Sequence, residues 1–149
     1  MPKTLWNAES RQELIDRLNR LSPEKKPLWG RMNAPQMVNH LVGWMKMANG
    51  ELRTAPLNRP IRYPPLKQLI IYWLPWPKDL PTAPELLSRE KYDLAGEQAS
   101  FSRYLSAFER KPDRKVVWPE HPAFGNLTAN QWGVLGYRHT DHHLRQFGV

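Results

Sequence analysis

The chain has 149 residues, of which 40% are hydrophobic and 24% charged, and it contains no cysteine. That length suits one domain, residues 1–149, with a sizeable core and not a disordered chain. The missing cysteine excludes disulfides, thiolate metal sites and a cysteine nucleophile, so any reacting thiol has to come from a substrate or cofactor.

The formal net charge is +8, from 22 Lys and Arg against 14 Asp and Glu. A charge of that size raises nucleic acid or an anionic membrane as partners. The basic residues are spread along the whole chain, however, and the tightest groups are pairs such as Lys25-Lys26, Arg110-Lys111 and Arg114-Lys115. No helix carries a continuous basic stripe, so the reading is no nucleic acid, and an anionic small molecule suits the charge equally well. The first twenty residues lack an apolar core of the kind a signal peptide needs. A cytoplasmic location is the expectation.

In chain order, Asn7 caps a first helix running to about Leu21, with Leu14, Ile15, Leu18 and Leu21 on one face. Ser22-Pro23 ends it, and Pro27 to Gly30 reads as a loop. Asn33 caps a second helix with Pro35 in its first turn and a stop at Asn49-Gly50. The stretch from Arg53 to Pro84 holds eight prolines, Pro81 among them, which excludes long regular elements. One short helix fits there, from Leu66 to Leu74, too short to span a bilayer. Between Arg62, Lys67 and Lys78 it could touch a membrane surface, but the reading preferred is packing over one end of the core.

A third long helix is expected from Ser88 to Arg110, after a capping box at Thr82 to Glu85. Its apolar face is Leu87, Leu94, Phe101, Leu105 and Phe108. The loop that follows contains Pro112 and Trp118 to Pro122, and Lys115 to Trp118 carries the only tempting strand signal. Thr128-Ala129-Asn130-Gln131 is a capping box for the last helix, which runs to the chain end. These elements make an all-α protein, a four-helix bundle with a long Pro-rich crossover between the second and third long helices.

The last helix carries His139, His142 and His143. Residues four apart share one helix face, so His139 and His143 can chelate a single ion. With Trp132 at 0°, His139 falls at about 340° and His143 at about 20°, in the middle of the apolar stripe. His142 lies at its margin. On the second helix His40 sits between Trp44 and Met47, on the rim or inside of that stripe. A lone inward histidine is ordinarily a hydrogen-bonded core residue. Three of them are costly to bury without partners, and a shared ion supplies the partner.

Three imidazoles leave coordination positions open, which is the catalytic pattern. Zinc, nickel, iron and manganese all suit such ligands. His142 reads as a neighbour of the site or a surface residue. Asp141 could orient a ligand, but an exposed salt bridge is the preferred reading. His121 either lines a pocket mouth or caps a helix end. Trp29, Trp44, Trp73, Trp76 and Trp132 either shape an aromatic pocket or simply pack the core.

Two groups of residues carry a family resemblance. They are Pro35 to Leu41 around His40, and the terminal His139-x-x-x-His143 followed by Arg145-Gln146. Together they resemble the DinB/YfiT-like superfamily of bacterial four-helix-bundle metalloproteins. His121 to Gly125, Trp132-Gly133 and His139 to Gly148 are similar to a narrower branch of it. The resemblance implies a divalent metal on His40, His139 and His143. It also implies a thiol-dependent transferase or isomerase in which the metal activates a low-molecular-weight thiol such as bacillithiol or mycothiol. Many members carry Arg-Gly-Gln after the second histidine. Here the residues are Leu144-Arg145-Gln146, which moves the arginine by one position.

Three functions therefore stand side by side. One is a metal-dependent transferase or hydrolase acting on a small molecule. Another is a catalytically silent bundle, as a monomer or homodimer, in which the ion stabilises the fold. The third is a basic module that binds nucleic acid or membrane.

Overall fold

Four side-chain caps determine where the longer helices of this computed structural model begin. The structure describes residues 1–78, 82–110 and 116–149. The Asn7 side chain accepts from the Ser10 amide at 2.8 Å and opens α1, Ala8–Leu18. Asn33 and Gln36 cap each other reciprocally at 2.9 and 3.0 Å, opening α2, Ala34–Ala48. The short α3 is Leu66–Tyr72. Asp93 accepts from Gly96 N–H and opens α4, Leu94–Leu105. Thr128 and Gln131 form the second reciprocal box, opening α5, Ala129–Gln146. Each such cap satisfies amides that the first turn leaves without a helical partner, worth about 1 kcal/mol.

Among the described residues the protein is all-α, with five α-helices, three short 3₁₀ turns and no strand. The one extended pairing is an isolated bridge between His121 and Gly125. Lys115 lies outside the described residues, and Val116 to Trp118 join no ladder. No described helix is long and apolar enough to cross a membrane.

The helices pack in pairs: α2 along α4, α1 against α5, and α1 and α2 against the far member of the other pair. Their inward faces give a continuous apolar core that includes Leu14, Leu18, Met37, Leu41, Met45, Phe101, Leu105, Trp132, Leu135 and Leu144. Each fully buried side chain of this kind stabilises the fold by about 1.5–3 kcal/mol over leaving it in water. A Cβ on Gly136 would stand 2.5 Å from Leu5 and 2.7 Å from the Trp44 ring. That glycine is what lets Trp44 of α2 lie directly on α5.

Several boundaries differ from expectation, among them the end of the third long helix, which stops at Leu105 and not at Arg110, with Ser106–Phe108 as a 3₁₀ turn. Helix α1 stops at Leu18 with Asn19 as C-cap, although Leu21 beyond it is still buried. Helix α3 stops at Tyr72, two residues early. The third long helix begins at Leu94 and not at Ser88, because the Thr82–Glu85 capping box does not form. Pro84 to Leu86 make a 3₁₀ turn instead, and the Glu85 carboxylate accepts from the Ala55 amide at 2.9 Å. Leu94, Phe101 and Phe108 are buried as their spacing requires, whereas Leu87, outside the helix, is exposed.

A side chain of α5 helps to tie down the Pro-rich crossover. Arg138 of α5 donates to the carbonyls of Ile70 and Ile71 at 2.7 and 2.8 Å, and also to that of Leu74. These carbonyls lie at the C-terminal end of α3, where four groups lack helical donors and a cation is favoured.

Candidate metal centre

His40, His139 and His143 come together where α2 meets α5. One ring nitrogen from each lies within 4.8 Å of the other two, so the three could hold one ion. The ring centroids of the three pairs stand 4.7–5.0 Å apart. His40 is buried, the His139 ring is enclosed by its neighbours, and His143 is partly exposed.

Hydrogen bonds assign the tautomers of two rings. His40 Nδ1 is 2.8 Å from the carbonyl oxygen of Leu86, which can only accept. Nδ1 therefore carries the proton, and Nε2 faces the cluster with a free lone pair. His143 Nδ1 is 2.8 Å from Gln146 Oε1. The Gln146 amide cannot turn over, because its nitrogen donates to the Trp29 carbonyl at 2.8 Å. His143 Nδ1 is thus a donor as well, leaving its Nε2 for the cluster. Hydrogen bonds of this kind, from the ligand's far nitrogen to a fixed oxygen, orient metal-binding histidines and make them more basic.

His139 is held differently. Among the described residues its Nδ1 is enclosed without a hydrogen-bond partner. Its ring packs between Trp44 and Trp76, with centroids 5.7 and 6.2 Å away. Its Nε2 is 3.0 Å from Nε2 of His40. Nitrogens bound to one ion at about 2.0–2.1 Å, at angles near those of a tetrahedron or octahedron, stand roughly 3 Å apart. The donor set and its neutrality fit a divalent cation, and the His40–His139 spacing is that of two ligands to one ion.

The electrostatics agree. Burial lowers the pKa of His40, and that of His139 falls well below the usual histidine value through burial and then the nearby His143 and His40. His143 is pushed down to about 3, first by burial and then by His40. Near neutral pH all three are uncharged with lone pairs available, the state in which imidazole binds metal.

The other candidates separate clearly. His142 lies at the rim, its ring 5.9 Å from Trp29 and 6.0 Å from Trp76. Asp141 turns away and pairs with Arg17 at 2.7 Å and Arg145 at 3.0 Å. Arg145 is 71% exposed and faces solvent, so the shifted arginine takes no part in the cluster. His121 is buried and shapes its own loop, accepting at Nδ1 from the amides of Ala123 and Phe124 at 3.1 and 3.3 Å. It packs on Trp132 and does not cap a helix end. Of the tryptophans, Trp29, Trp44 and Trp76 surround the histidines, Trp132 packs behind Trp44 at 5.4 Å, and Trp73 points to solvent.

Sequence reasoning missed the residues behind the ligands. Gln146 and the carbonyls of Leu86 and Trp29 belong to this layer. Gln146 had a signal, since it stands three residues after His143 and so on the same face. The two carbonyls had none. Gly30 belongs here too: its φ of 85° is glycine's, and a Cβ there would come within 2.4 Å of the Gln146 amide nitrogen.

Gln146→Leu should keep the fold but free the His143 ring. The expected result is divalent-metal affinity weakened about 10–100-fold, measured by competition against a chelating dye. Unchanged affinity would mean that packing alone orients His143.

Fold and site together define the class: an α-helical protein with three histidines, from two helices, placed so that they could hold one metal ion. The particular family follows from comparison. A model described as "Protein of unknown function (DUF1569)" matches residues 5–148, and the chain belongs to that family. No curated protein and no solved structure matches.

Proposed function

We propose that the chain is a DinB-like four-helix bundle, one domain over residues 1–149. On this reading it holds a divalent ion on His40, His139 and His143 and acts as a metal-dependent transferase or hydrolase on a small molecule. The observation that carries the reading is the convergence of three neutral imidazoles, two of them anchored through Nδ1. Bound there, the ion supplies Lewis acidity and lowers the pKa of a water or low-molecular-weight thiol that it binds.

The chain's own residues do the rest. Leu86 and Gln146 fix the direction of two Nε2 lone pairs. Trp44 and Trp76 hold the His139 ring and shield one side of the cluster from water. Three protein ligands leave room for a reacting group, and the partly exposed His143 marks the side from which it enters. The missing cysteine agrees with a thiol brought in by a substrate.

The test begins with elemental analysis of protein purified without added metal. A near-stoichiometric divalent ion is expected, together with turnover of a thiol–electrophile pair or an activated ester that stops on chelation and returns on reloading. No ion, and no uptake on reloading, overturns the site. A bound ion whose removal lowers the melting temperature, with no turnover of any pair, assigns it a structural role instead.

A further inference from the structure

The crossover around α3 combines two properties that the histidine cluster does not use. From Leu52 to Lys78 there is no Asp or Glu, while Arg53, Arg59, Arg62, Lys67 and Lys78 are basic. The same stretch carries four of the large apolar side chains that the described fold leaves in water. Tyr63 is 62% exposed, Leu69 and Leu74 each 42%, and Trp73 79%.

These side chains form a ridge. Pro65, Leu69 and Trp73 follow each other at four-residue steps, so they lie on one face of α3. The opposite side of the helix is committed to the body of the protein, with Ile71 buried and the terminal carbonyls held by Arg138. Arg62 and Lys67 are fixed at the flank by the carbonyls of Pro122 and Asn126. The ridge is therefore held rigidly outward. Two carboxylates meet this stretch among the described residues, Glu120 beside Arg62 and Glu85 on the Ala55 amide.

Charge decides what covers such a ridge. A second copy docking symmetrically would bring the same predominantly basic surface against itself, and like charges across an interface are unfavourable. An anionic bilayer presents the opposite charge over an apolar layer. Trp and Tyr settle at that boundary, with aliphatic neighbours below and cations at headgroup level. We propose that the α3 ridge docks the protein peripherally on an anionic phospholipid surface, with Trp73 and Leu69 entering the headgroup boundary.

Flotation of the full chain tests this, using vesicles of phosphatidylcholine alone and of equal parts phosphatidylcholine and phosphatidylglycerol. Binding is expected to the anionic vesicles and not to the neutral ones, and to weaken as salt is raised. Trp73→Ser should lower partitioning at least about tenfold through lost apolar contact. Arg59→Gln should lower it about fivefold, the effect of one cation near an anionic surface. Both side chains are exposed, so circular dichroism should show both variants folded. No flotation with anionic vesicles overturns the proposal. So does flotation that Trp73→Ser leaves unchanged, since bulk charge alone would then explain it. A concentration-dependent dimer that Trp73→Ser abolishes, without vesicle binding, would assign the ridge to a second copy.

Discussion

His139→Ala is expected to abolish retention of the divalent ion, taking elemental content from near-stoichiometric to background. The ring stands centrally: its Nε2 lies 3.0 Å from that of His40, and its centroid is 4.8 Å from that of His143. Removing it leaves two imidazoles from different helices and breaks the i, i+4 chelate on α5. The same change in His142, one residue before His143, should leave the ion in place, because that ring packs at the rim between Trp29 and Trp76.

Stability supplies a readout independent of turnover. An ion bound only by the native state stabilises it by RT ln(1 + [L]/Kd), about 4 kcal/mol at a thousandfold excess over Kd. A chelator should therefore lower the melting temperature of the wild type by several degrees and leave that of His139→Ala unmoved. His139→Ala retaining the ion, or responding to chelator as the wild type does, would sink the three-histidine site.

The legible parts of this molecule are those where a local signal carried the information. The Asn33 cap with Pro35 in the first turn, and the Thr128–Gln131 capping box, mark the starts of α2 and α5, and those two helices bring the histidines together. The helical period turned His139 and His143 inward, and the same count put His40 at the edge of the α2 stripe. What failed depended on contacts distant in sequence. The heptad of Leu87, Leu94, Phe101 and Phe108 extends the expected helix back to Ser88, but Asp93 is the working cap. Glu85 looked like half of a capping box and instead binds the Ala55 amide, 30 residues away. The anchors of His40 and His143 are invisible for the same reason: a backbone carbonyl carries no residue-type signature, and Leu86 and Trp29 reach the site only through the folded crossover and the Pro27–Gly30 loop. The resemblance pointed to an arginine after the second histidine. The structure puts Arg145 in solvent with Asp141 and gives the anchoring position to Gln146.

Acid should destabilise the metal-free protein well before its carboxylates titrate. An unfolded histidine titrates near 6.5. In the fold His121 and His143 are held down at about 3 by burial, and burial lowers His40 and His139 as well. With native values below unfolded ones, the unfolded chain binds more protons at any pH under about 6.5, so stability rises with pH and falls on acidification. The contribution is complete above roughly pH 7 and is lost from about 6.5 downward, at up to about 1.4 kcal/mol per pH unit for each site. For His121 and His143 the loss continues to about 3, where the native rings themselves take up protons. Several such sites acting together rival a whole domain's stability of about 5–15 kcal/mol, so cooperative unfolding is expected on the way down. The histidine contribution can be isolated, since between about pH 6.5 and 5 the Asp and Glu side chains, with ordinary values near 4, have barely begun to change. Melting temperature followed through that interval in chelator should fall steeply. His143→Gln should flatten the fall by about one site's share without touching the loop that His121 holds. With the ion bound the wild type should start higher and lose it over the same interval, because protons compete for the same Nε2 lone pairs. A melting temperature that stays level from about pH 7 to 5 in chelator would mean that the rings are solvated in the native protein, and with that the neutral, closed geometry of the site would fail.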